Sequence, residues 1–102
     1  MTKKTVVTFK KWKSNSYFNH EIVDIKIKQR KIGHISEREI NKESCFIIYI
    51  SVKKEKTKDD PCDFKWIILD IKFPCSELAK EFLKENIDRI LEKHDVYFFE
   101  KE

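Results

Sequence analysis

Between Ser76 and His94 the apolar residues recur at steps of three and four. Leu78, Ala79, Phe82, Leu83, Ile87, Ile90 and Leu91 fall on one stripe, with lysines, glutamates and Asp88 and Arg89 between them. That spacing predicts an amphipathic helix over 76–94. Pro74 precedes it, Cys75 or Ser76 stands at the cap, and Glu77 lies at the positive end of the helix dipole. Upstream the period changes to two. Phe46, Ile48, Ile50 and Val52 alternate with Ile47, Tyr49, Ser51 and Lys53, and Ile67, Leu69, Ile71 and Phe73 alternate with Trp66, Ile68, Asp70 and Lys72. Both segments are rich in β-branched and aromatic residues and read as strands. The charged stretch 53–63, with Pro61, is the turn of an antiparallel hairpin between them.

Two earlier strands are predicted over Thr5–Trp12 and Ile22–Gln29, the second with Val23, Ile25 and Ile27 on one side. Residues 31–36, around the single glycine Gly33, read as a short third strand after a turn near Gln29–Lys31, or as a bent continuation past a bulge. Residues 36–44 show no apolar period and are expected to be a loop, with room for one helical turn. The short apolar run Val96–Phe99 could add a terminal edge strand. The resulting fold class is α+β: an antiparallel meander of four to five strands with one long C-terminal helix on one face. At 102 residues this is a single domain, 1–102.

Composition changes this picture in two ways. The chain is 39% charged and 40% hydrophobic, with eight phenylalanines, which fits a soluble globular domain and not a disordered one. No apolar run approaches a membrane span, and the N-terminus lacks the apolar stretch of a signal peptide, so the expected setting is the cytoplasm without membrane contact. The charge is also uneven. Residues 1–31 carry nine lysines and arginines against two acids, although the whole chain is only +4. The richness in Lys and Ile suggests an AT-rich genome and the setting of a phage or mobile-element accessory or inhibitor protein.

Few residues offer catalytic chemistry. One glycine cannot make a phosphate-cradling loop, and no zinc-protease or nucleophile-elbow motif occurs. Cys45, Cys62 and Cys75 are odd in number and far apart, unlike a disulfide framework, and with His20, His34 and His94 they lack zinc-ligand spacing. Cys75 at a helix start could pair with His34 or His94 as nucleophile and base, but a cap-region thiol and a histidine beside the last helix carbonyls are the plainer readings. The expectation is a protein without enzymatic activity, cofactor or metal.

The candidate site is the sheet face turned away from the helix. It collects Lys10, Trp12, Lys26, Lys28, Arg30, Tyr49 and Trp66, which could bind a partner or hold a nucleic acid by stacking bases while lysines follow phosphates. Ile47, Phe64 and Ile68 on that face suggest a protein interface or a homodimer. The protein-partner reading leads, and single-stranded nucleic-acid binding is the alternative. The order of strand meander then helix resembles small single-strand-binding folds of the transcription-coactivator and purine-rich-element-binding kind. The stretch KFPCSELAKEFL (72–83) is similar to the strand-to-helix junction of three-stranded DNA-binding domains of integrases. Both are likenesses of architecture over part of the chain, and a fold does not fix a function.

Overall fold

The computed structural model describes residues 5–11 and 21–100. They form five strands, β1 (Thr8–Lys11), β2 (Ile22–Ile27), β3 (Arg30–Ile40), β4 (Glu43–Lys53) and β5 (Phe64–Phe73), followed by one helix, α1 (Ser76–Lys93). The sheet is antiparallel throughout, with neighbours in chain order from β1 to β5. This is the α+β meander with a C-terminal helix that the two periods predict.

The core lies between the inner sheet face and α1. Val23, Ile25, Ile35, Ile48 and Ile50 meet Ala79, Leu83, Ile87 and Ile90, with Ile67, Leu69, Phe82 and Leu91 packed around them. Leu78 departs from the expected stripe and is 44% exposed. Cys75 is the N-cap residue, but its side chain makes no capping hydrogen bond, and His94 closes the C-terminus by donating its backbone N–H to Ile90 O. On the inner side of β1, Phe9 carries the ammonium groups of Lys80 and Lys84 at 5.8 and 5.9 Å from its ring centre. That contact ties the edge strand to the helix.

Residues 36–44 are not a loop. β3 and β4 pair without interruption from Gly33–Ile50 to Ile40–Glu43, and Asn41 and Lys42 turn the corner with φ of 52° and 66°. Two successive left-handed residues make the tight turn whose twist suits a hairpin, and asparagine tolerates that conformation. The distal hairpin projects past the core, so its side chains face water and carry no apolar period. A second turn of the same kind, Lys28–Gln29 (φ 51° and 67°), joins β2 to β3.

Gly33 sits beside a bulge. The β2–β3 register slips there, with Ile25 opposite Gly33 but Lys26 opposite Lys31, so Ile32 is the extra residue. Ile32 and Gly33 are both buried, and below Gly33 β3 no longer pairs with β4. The chain after α1 fills that gap. Val96 bridges Val52, Lys53 N–H donates to Asp95 O, Tyr97 N–H to Ser51 O and Phe99 N–H to Lys31 O. The apolar run 96–99 thus joins the sheet from within, between β3 and β4, and not along an edge. Its side chains alternate as a strand's do, with Val96 and Phe98 at the core and Tyr97 and Phe99 on the opposite face.

Candidate functional site

Strand register assembles the outer face row by row. One row crosses all five strands as Lys10, Asp24, His34, Tyr49 and Ile68. Beside it run Thr8, Lys26 and Lys31, and then Ser51 and Trp66 across β4 and β5. Another row holds Ser36, Ile47 and Lys72. The face is therefore graded, basic over β1–β3 and aromatic, then aliphatic, over β4 and β5.

Six rings form a continuous cluster in its middle. His34 stacks on Tyr49 at 4.8 Å and meets Trp66 edge-on at 4.8 Å. Phe64 stacks on Tyr97 at 5.0 Å, and Trp66 lies parallel to Phe99 at 5.8 Å. Arg38 sits 5.6 Å above Tyr49, and Lys31 is 5.7 Å from the Trp66 ring centre. Many of the ring surfaces are thus already used within the protein, which fixes the rings in place. Ser51 secures the cluster from below. It is fully buried, and its hydroxyl lies 2.8 Å from both Ile32 O and Tyr97 O, sharing one proton between a carbonyl of β3 and one of the inserted segment.

The expected site residues do not all come together. Tyr49, Phe64 and Trp66 are brought together in the cluster, with Ile47 and Ile68 beside them. Lys10 and Lys26 line an open hollow of about 920 Å³, with Lys31 beside them and Phe64, Tyr97 and Phe99 on its far wall. Lys11, Asp24, Gln29 and Glu100 complete the lining. Lys28 stands apart in the β2–β3 turn. Arg30 is engaged elsewhere: its Nε donates to Phe99 O at 2.8 Å and an Nη to Phe98 O at 2.9 Å, with the Phe98 ring 5.6 Å away. It pins the inserted segment. Trp12 and His20 lie outside the described residues.

Sequence reasoning missed His34, Tyr97 and Phe99 as members of the cluster. A strict alternation of Val96 and Phe98 with Tyr97 and Phe99 was the available signal for a two-sided strand. It missed Lys31 as well, whose Nζ is 3.1 Å from Asp24 Oδ1 and supplies the compensating charge for that buried oxygen.

Burial and the nearby Lys31 charge lower the His34 pKa from 6.5 to about 4, although Asp24 pulls it upward. His34 is therefore neutral at neutral pH. The unfolded chain takes up a proton that the fold resists, so the stability carried by neutral His34 is complete above about pH 6.5. It is lost as the pH falls from there through 4. Thermal melts of the wild type should thus drop more steeply between pH 7 and pH 4 than those of His34→Gln. Parallel curves would show that the stack does not oppose protonation.

Among the described residues no three His, Cys, Asp or Glu side chains converge to hold a metal ion, and the three cysteines are free thiols. No helix among them is long and apolar enough to cross a membrane. The chain matches no protein-family model, no curated protein and no solved structure.

Proposed function

We propose that this is a non-catalytic cytoplasmic binding protein whose partner is another protein chain, seated on the β4–β5 half of the outer face. The observation that supports it most is where the apolar exposure lies. Trp66 is 39% and Ile68 59% exposed, Ile47 is half-buried beside them, and α1 covers the other side of the sheet. A Trp held rigid by neighbouring rings loses little entropy on binding and makes a natural anchor. A phage or mobile-element accessory protein is a setting in which such a small binder works.

Trp66→Ala should weaken self-association or partner binding by about 2 kcal/mol or more, while the far-UV circular dichroism spectrum keeps its native form, because the ring lies outside the core beneath α1. Sedimentation of wild type and variant at matched concentration reads this directly. A monomeric wild type with Trp66 freely quenched in a Trp12→Phe background would remove self-association and give the face to the second reading.

That second reading is single-stranded nucleic acid, and the hollow favours it. Lys10 and Lys26 form no ion pair among the described residues and face the rings of Phe64, Tyr97 and Phe99, so phosphates and bases each have a wall. Affinity for an oligonucleotide would then fall steeply with salt. Replacing Lys10 or Lys26 by Gln should lower the slope of log K against log salt by about one each. Failure to retain any single strand at low salt would dismiss this reading.

A further inference from the structure

We infer that two copies of this chain pair edge to edge along β5, antiparallel about a two-fold axis through Leu69, into one ten-stranded sheet. The inference rests on the protein-partner reading, names that partner, and moves its contact from the outer face to the β5 margin of that face. The two edges of the sheet are built differently. Both carry two lysines, but β1 has only four residues, and short length is a device that discourages pairing. β5 has ten residues, and among the described residues no strand lies beside its free edge, so a row of main-chain donors and acceptors faces outward.

Exposure along β5 favours an edge partner over one stacked on the face. Trp66 and Ile68 are exposed on the outer side, but Ile71 is 39% exposed and its parity places it on the inner side with Ile67 and Phe73. A chain lying on the outer face would leave Ile71 in water. A strand added beside β5 covers side chains of both faces at once. The β5 bulge opposite Ile48 inserts two residues and so preserves alternation, with Ile68 facing Tyr49 and Lys72 facing Ile47, both outward; it spans 69–71, so the two strands would meet at their bulges.

The sequence of the strand selects a second copy as the occupant. A two-fold axis normal to the sheet pairs residues of like face, so it must pass through a residue and not between two. Centred on Leu69, residues 65–73 overlap completely. Ile67 then meets Ile71, Ile68 meets Asp70, Lys72 lies across from Trp66 and Lys65 across from Phe73. No like charges are opposed, and each lysine meets an aromatic ring. Centring on Asp70 sets two carboxylates against each other, and centring on Ile68 sets Asp70 against the Trp66 ring. Of β5 only Phe64, which lies outside the 65–73 overlap, lines the hollow, so the hollow stays open in the dimer.

The test is disulfide trapping in full-length protein with Cys45, Cys62 and Cys75 changed to serine. Ile68→Cys and Asp70→Cys are prepared separately; both positions are exposed on the outer face, so the fold should tolerate them. Opposed residues of antiparallel strands lie within disulfide reach. A mixture of the two variants should yield a covalent dimer under mild oxidation, while neither alone does, and the wild type should sediment as a dimer. Cross-linking of Ile68→Cys alone, or of Asp70→Cys alone, would overturn the axis at Leu69. A wild-type dimer that gives no cross-link yet dissociates with Trp66→Ala would overturn edge pairing and leave the partner reading standing on face-to-face contact. A wild type that remains monomeric at its highest soluble concentration would overturn the inference, and Trp66 quenching would then decide the partner reading separately.

Discussion

Gly33→Ala should cost about 3 kcal/mol or more, the largest loss expected of any single-methyl change in this protein. The reason is not backbone conformation, since Gly33 does not have a positive φ. An added Cβ would fall inside the van der Waals envelope of the Tyr49 carbonyl oxygen, and 3.2 Å from Ile50 Cα. Both obstacles are main chain and cannot swing aside. Relief requires β3 and β4 to separate at the last residue pair before the inserted segment, which loosens that segment too. Urea denaturation followed by circular dichroism would measure the loss. A change below about 0.5 kcal/mol would mean that the strands yield there at little cost.

Ile50→Ala is expected to cost about 2–5 kcal/mol. Ile50 is fully buried, lies opposite Gly33 on one side and Ile67 on the other, and belongs to the core beneath α1. Neighbouring β-branched side chains are fixed by the pleat and cannot collapse into the space left behind. Phe82→Ala should cost less, because Phe82 is only partly buried and rests against the Phe73 ring at 5.5 Å. Equal losses at the two positions would mean that the helix margin carries as much of the core as its centre does.

The parts of the fold that were legible in the sequence are those where one face packs on another. Ile48, Ile50, Leu83 and Ile87 declare their periods because each must reach the same interior. The distal hairpin around Asn41 was not legible, since Glu39, Glu43 and Ser44 pair by main chain and their side chains are exposed. Its one local sign was an asparagine able to take a left-handed turn. The grading of the outer face was partly legible, from Lys10 and Lys26 to Trp66 and Ile68. Three of its rings were not, because His34, Tyr97 and Phe99 reach the cluster through pairings distant in sequence. Arg30, which charge alone suggests for an anion, is held by the carbonyls of Phe98 and Phe99, a role that only three-dimensional placement reveals.

The segment between β3 and β4 also bears on how the molecule is assembled in time. The hydroxyl of Ser51 joins carbonyls 19 and 46 residues away, and Arg30 reaches across 68. The meander can zip together hairpin by hairpin from local contacts, but its interior seam closes only after the helix has docked and returned the chain. Non-local closures of this kind slow folding and come late along the route. Substitutions at Tyr97 or Phe99 should therefore speed unfolding and leave the refolding rate nearly unchanged, because the seam acts as a latch fastened after the barrier is crossed.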